Sequence, residues 1–146
     1  MANRITVYAY VVGDLWHVGH KRFLRQAKAL GDHLIVGVLT NEATMAYKRE
    51  PVIPFCERME LVADSRQADE VVQQDDVDPT DNLKMRPDVD IVVHAHYPDT
   101  VLAHWEAACR YMARVGKQAI RLDYYPGQST TDIIRSIKER LADGSL

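Results

Sequence analysis

Ile5-Thr6-Val7-Tyr8-Ala9-Tyr10-Val11-Val12 is an apolar run, and His17-Val18-Gly19-His20 soon after it opens an amphipathic stretch from Val18 to Leu30. The first run suits a strand. The second suits a helix, with Phe23, Leu24, Ala27 and Leu30 on one face and Gly31 as its stop. Two histidines three apart at a helix start share a face. They adjoin backbone N–H groups without intrahelical partners and a dipole that favours anions. An imidazole pair there can hydrogen-bond phosphate oxygens and support the charge that builds during transfer at phosphorus. A bare His-x-x-His is more often a pair of surface histidines. Gly19 between them, at a strand-to-helix junction, favours the anion site by keeping side-chain bulk away from the helix end.

Strand and helix patterns alternate outward from this unit. His33 to Leu39 is a continuous apolar strand, as expected when both sheet faces are covered. A polar stretch from Thr40 to Pro51 precedes a helix opened by Pro54, with Phe55, Met59, Val62 and Ala63 turned inward. Glu70 to Val72 and Asp88 to His94 read as strands. The next helix buries Val101, Leu102, Trp105, Cys109 and Met112 and ends at Gly116. Gln118 to Leu122 is the last strand, and Ser129 to Leu141 the last helix, with Ile133, Ile134, Ile137 and Leu141 on one face. This order predicts an α/β fold, a doubly wound parallel sheet of about five strands in a single domain over residues 1–146. Ligands of such sheets bind beyond the carboxyl ends of the strands, where His17 and His20 follow the first strand.

The 146 residues are 47% hydrophobic, enough for one ordinary core. A net charge of −3 offers no broad basic field for nucleic acid. The longest apolar runs are strand-length, short of a membrane span. Residues 1–4 lead straight into a strand with no room for a signal peptide, so a cytoplasmic protein is expected. Cys56 and Cys109 lie in helical patterns without metal-ligand spacing and read as reduced packing residues. Asp75, Asp76, Asp78 and Asp81 read as a solvated loop. His94 and His96 alternate along one strand side but lack a third ligand of recognisable spacing, so no protein metal site is expected.

Gly127-Gln128-Ser129-Thr130-Thr131-Asp132 opens the last helix. Capping explains Ser129 and Asp132. Two further threonines and a glycine suit a phosphate cradle better. Together the two stretches resemble the cytidylyltransferases that include the glycerol-3-phosphate and choline-phosphate enzymes. Asp14-Leu15-Trp16-His17-Val18-Gly19-His20 is similar to that family's His-x-Gly-His motif, and Gly127 to Thr131 to the end of its second motif. The resemblance implies a Rossmann-like nucleotidyltransferase fold, CTP with magnesium as the donor, and a homodimer. It implies His17, His20 and Lys48 as catalytic residues. Val12, Gly13, Asp14, Gly19, Gly127, Gln128, Ser129, Thr130 and Thr131 would bind the nucleotide. Arg58 also matches a family arginine, with a structural role open to it.

The chain departs from the pattern in places. Tyr124 stands where the family has an arginine that helps hold the triphosphate, and Arg121 is a possible substitute. The acidic segment after the fourth strand reads Ala95-His96-Tyr97-Pro98. Lys48 to Phe55 and Asp81 to Asp88 resemble the cytidylyltransferases of phosphonate natural-product pathways. That likeness implies a small phosphonate acceptor of the phosphonoformate type, met by Arg49, His96, Tyr97, Arg121 and Tyr124. Other readings are a phosphate-monoester acceptor, an adenylyltransferase of the flavin type, and a nucleotide-binding regulator without turnover.

Overall fold

A computed structural model describes residues 3–146. Its elements run β1 (Thr6–Val11), α1 (Val18–Lys28), β2 (His33–Leu39), α2 (Asn41–Met45), α3 (Phe55–Asp64) and β3 (Glu70–Gln74). They continue with α4 (Thr80–Met85), β4 (Ile91–Ala95), α5 (Ala103–Arg114), β5 (Gln118–Leu122) and α6 (Thr130–Asp143). The five strands form one sheet in the order β3-β2-β1-β4-β5, and every pairing is parallel. The chain winds outward from β1 through β2 to β3, then returns to the other side for β4 and β5. The strand order therefore reverses between β1 and β4, and a crevice opens there at their carboxyl ends.

Alternate residues of the central strands feed two cores. Val7 and Ala9 with Leu34, Val36 and Val38 meet Phe23, Leu24 and Ala27 of α1 and Val62 of α3. Tyr8, Tyr10, Ile35 and Leu39 face the other way, onto Ala43 of α2, Leu83 of α4 and Trp105, Ala108 and Met112 of α5. Burial on both faces explains why β2 reads as an unbroken apolar run.

Several boundaries differ from the sequence reading. β4 begins at Ile91, because Val89 N–H turns back to Arg86 O and the Asp90 carboxylate accepts Thr6 N–H. Two short helices, α2 and α4, escape the apolar pattern, and α4 takes in Asp81, which the sequence reading placed in a loop. α2 lies in the polar stretch and is started by Thr40, whose hydroxyl accepts Ala43 N–H. In α3 the sheet-facing residues are Phe55, Arg58, Met59 and Val62, so Ala63 falls outside the stripe and is exposed, as is Cys56. Val101 precedes α5 and is also exposed. α6 is covered only near its start: Ile133 and Ile134 are half-buried, while Ile137 and Leu141 face solvent.

Arg58 is the largest side chain with no exposure at all. Its Nε donates to Ile53 O at 3.0 Å. One terminal nitrogen donates to Val12 O at 2.6 Å and Leu39 O at 2.7 Å, the other to Asn41 Oδ1 at 2.7 Å. One guanidinium thus gathers the ends of β1 and β2, the start of α2 and the approach to α3. Beside it, both oxygens of the buried Asp14 carboxylate accept backbone N–H groups, from Val52 and Ile53, each at 2.9 Å.

An orphaned buried carbonyl costs about 1–3 kcal/mol, and Arg58→Met would orphan three. It is expected to lower the unfolding free energy by about 3 kcal/mol or more. Arg58→Lys should recover little, because one ammonium cannot span the guanidinium's planar fork. Urea denaturation measures both, and a wild-type midpoint for Arg58→Met would contradict the arrangement.

Candidate active site

His17 and His20 hold one another at the start of α1. His17 is the N-cap, and its Nδ1 accepts Gly19 N–H at 3.0 Å. His20 Nδ1 reaches back to accept His17 N–H at 3.1 Å. This is a capping box with imidazoles in both side-chain roles. A ring nitrogen that accepts a backbone N–H carries no proton, so the neutral tautomer of each histidine must place its hydrogen on Nε2. The fold thereby fixes two neighbouring Nε2–H donors, with ring centroids 3.9 Å apart. Burial holds both imidazoles neutral. It lowers the His17 pKa against a small opposing pull from Asp132, and with His17 and Lys48 lowers that of His20 to about 3. Trp16 stacks on His20 with ring centroids 4.8 Å apart and planes 8° from parallel.

The second stretch docks onto the first. Ser129 caps α6 by accepting Asp132 N–H at 3.1 Å, and the Thr130 hydroxyl donates to Asp14 O at 2.8 Å. A Cβ on Gly19 would lie 2.7 Å from His17 Cε1 and 3.0 Å from Gln128 O. Gly19 is therefore where the two loops touch, and any side chain would separate them. Gly13, in the left-handed region at φ 72°, turns the chain from β1 toward Asp14. The N-termini of α1 and α6, each with unpaired N–H groups and a positive dipole end, share one crevice.

A cavity of about 390 Å³ fills that crevice. Its wall brings together Val12, Asp14, His17, Gly19, His20, Lys48, Arg49, Tyr124, Gln128, Ser129, Thr130 and Thr131. Gly13, which is buried, and Gly127, which is exposed, do not line it. Lys48 is exposed at the lip, its pKa lowered by local desolvation and by Arg49. An Arg49 guanidinium N–H points to the Thr131 hydroxyl at 3.4 Å.

Three residues expected at the site lie outside the wall. His96 is buried against Trp105, Tyr97 packs outside against Tyr124, and Arg121 spends its N–H groups on His96 O, Leu122 O and Asp123. His94, the last residue but one of β4, lines the cavity on the side it shares with His96, which lies past the strand's end. It stacks on Tyr10 at 4.7 Å, touches the His104 ring edge-on at 5.1 Å, and shares a 3.0 Å Nδ1–Nδ1 contact with His96. The Tyr10 hydroxyl pairs with His104 Nδ1 at 2.8 Å. Burial, reinforced by His104, His96 and Lys48, lowers the His94 pKa to about 3. Arg22, Tyr47 and Tyr125 also line the cavity without any signal in the sequence pattern.

Among the described residues, no group of three or more His, Cys, Asp or Glu side chains is placed to hold a metal ion. Of the two wall carboxylates, Asp14 is buried with both oxygens held by backbone N–H groups, and Asp123 is exposed and pairs through one oxygen with Arg121. Such a wall fits a magnesium ion that keeps its waters and arrives on a nucleotide's phosphates.

Residues 13–136 match the cytidylyltransferase-like family. The chain belongs to that family. It is 34% identical over 142 residues to an ethanolamine-phosphate cytidylyltransferase of Arabidopsis thaliana, covering 92% of this chain and 33% of that protein. It is 49% identical over 70 residues to an FAD synthase of Thermococcus onnurineus, covering 47% of each. The bifunctional protein HldE of Methylococcus capsulatus is 36% identical over 130 residues, 86% of this chain and 26% of that one. The chain thus spans between a quarter and a half of the length of these relatives. In fold it resembles a lipopolysaccharide core biosynthesis protein from Thermoplasma volcanium, with a TM-score of 0.72 at 22% identity over 84% of this chain and 99% of that one. Thermotoga maritima TmcAL, bound with alpha-thio ATP, has a TM-score of 0.67 at 14% identity, over 97% of this chain and 52% of that one.

The neutral histidines give stability a pH signature. The folded pKa values of His20 and His94, about 3, lie below the 6.5 of an unperturbed imidazole. Their stabilisation is whole above pH 6.5 and is lost as pH falls from there toward 3, because the unfolded chain takes up the protons first. The melting temperature is expected to drop between pH 6.5 and 5, above the carboxylate range. His94→Gln should flatten that slope. An equally steep slope in the variant would show that His94 titrates normally in the folded protein.

Proposed function

We propose that this chain transfers the cytidylyl group of CTP to a compact phosphonate of the phosphonoformate type and releases pyrophosphate. A phosphonate oxygen attacks the α-phosphorus in line. The bond to the bridging oxygen breaks, and pyrophosphate leaves with the electron pair. The nucleophile is already anionic, so the protein needs no general base, and catalysis is positioning plus charge stabilisation. Magnesium carried on the triphosphate would supply further neutralisation of the phosphates.

The observation that carries this reading is the pair of locked Nε2–H donors at the α1 N-terminus. His17 and His20 donate to the α-phosphoryl and bridging oxygens. Ser129, Thr130 and the N-terminus of α6 cradle the remaining phosphates, and Lys48 neutralises the reacting groups from the lip. The acceptor's far end lies by His94, Tyr10, Tyr47 and Lys48. The cavity's cations Arg22, Lys48 and Arg49 outnumber its carboxylates, one of which, Asp14, is spent on backbone N–H groups, so a carboxylate finds donors more readily than a cationic head such as choline or ethanolamine finds a counter-ion.

Loss of one such donor costs roughly 10²–10³ in turnover. His17→Ala and His20→Ala are expected to lower kcat by that factor while weakening CTP binding less. Near-normal kcat in either folded variant would remove the histidines from the reaction.

Pyrophosphate release, measured with CTP and ATP over a set of acceptors, tests the rest. Phosphonoformate should exceed glycerol 3-phosphate, phosphocholine and phosphoethanolamine in kcat/KM by at least about tenfold. Equal use of glycerol 3-phosphate would overturn the phosphonate assignment and leave cytidylyl transfer standing. Preference for ATP would favour the adenylyl reading to which the FAD synthase likeness points.

A further inference from the structure

We propose that Arg22 binds the nucleotide's polyphosphate from the α1 side of the cavity, with the ring of Tyr125 as the positioning residue that aims it. This inference rests on the nucleotidyl-transfer reading and adds a residue that neither motif contains.

With its histidines neutral, the cavity wall has three cationic side chains, Arg22, Lys48 and Arg49. Lys48 and Arg49 are neighbours on the loop after α2, and Arg49 leans on Thr131. They leave the α1 side of the cavity to Arg22 alone. Arg121, the other candidate, is turned away onto its own strand end and onto Asp123.

Arg22 is exposed, and none of the ion pairs among the described residues uses it. Its guanidinium carbon sits 4.4 Å from the centroid of the Tyr125 ring. A guanidinium laid over an aromatic face loses rotamer freedom while its in-plane N–H donors stay open to a phosphate. An isolated surface arginine would have no such orientation.

The support beneath Arg22 is built into the loop before α6. A Cβ on Gly127 would lie 2.2 Å from the Tyr125 hydroxyl and 2.3 Å from Cζ. The Tyr125 ring therefore folds back across Gly127, in space that only glycine leaves. Next along, Gln128 meets Gly19 and Ser129 caps α6. Glycine, tyrosine and arginine form a stack that delivers a fixed positive charge beside the two helix N-termini.

Isothermal titration with CTP, CMP and pyrophosphate in the presence of magnesium tests this without acceptor or turnover. Failure of the acceptor assignment therefore cannot be mistaken for failure here. Arg22→Ala is expected to weaken CTP and pyrophosphate about tenfold, a typical loss for one charge-assisted contact, and to leave CMP nearly unchanged. Arg22→Lys should restore part of the affinity. Tyr125→Phe, which keeps the ring, should weaken both ligands less than Tyr125→Leu. Gly127→Ala should weaken pyrophosphate by displacing Tyr125. Wild-type affinity for pyrophosphate in Arg22→Ala would overturn the proposal. So would an equal loss for CMP and CTP, since that would place Arg22 on the base or ribose.

Discussion

The crevice of this protein depends on a buried positive charge that takes no part in the proposed chemistry. Strand ends in a parallel sheet leave carbonyls pointing into the crevice with no ladder partner. Arg58 satisfies those of Val12 and Leu39, together with Ile53 O. Asp14 does the complementary work, accepting the N–H groups of Val52 and Ile53. Acid and base thus fasten the same loop from its two polarities. The backbone of Asp14 then receives the Thr130 hydroxyl, which extends the tie to α6. Lys48, His17 and Ser129 come from three distant parts of the sequence, and this polar framework sets their spacing.

Electrostatics separates the crevice into regions of different character. The helix N-termini contribute partial positive charge that cannot be titrated away. The histidines contribute donors rather than charge, because desolvation keeps them neutral. Formal positive charge is left to Lys48, Arg49 and Arg22. Such a layout attracts an anion and meets it with directed hydrogen bonds.

The strand–helix alternation was legible because period and punctuation agree: β1 and β2 are apolar through their length, and Gly31 and Gly116 close helices. The paired stretches around His17 and Ser129 stood out because capping alone explains neither the glycine between the two histidines nor the two threonines that follow Ser129. What lay beyond the sequence was direction. Alternation puts His94 and His96 on one side of the strand, and nothing in the sequence tells that β4 ends at Ala95, leaving His94 at the crevice and His96 buried beyond it. Arg58 reads as a polar interruption in an apolar stripe, with nothing local to signal the carbonyls that await it. Arg22 sits among the ordinary basic residues of an exposed helix face, and its aim depends on Tyr125, more than a hundred residues later.

The imidazole capping box ties two properties that most enzymes keep separate. The hydrogen bonds that start α1 are the same ones that fix the tautomers of His17 and His20. The donors are oriented while the chain folds, so the proposed transfer would need no reorganisation of them. Substitution at either histidine also frays a helix, which binds the stability of the N-terminal unit to the integrity of its chemistry. A lineage of this protein that ceased to need catalysis would still be under pressure to keep both rings, and their persistence alone would be a poor witness to activity.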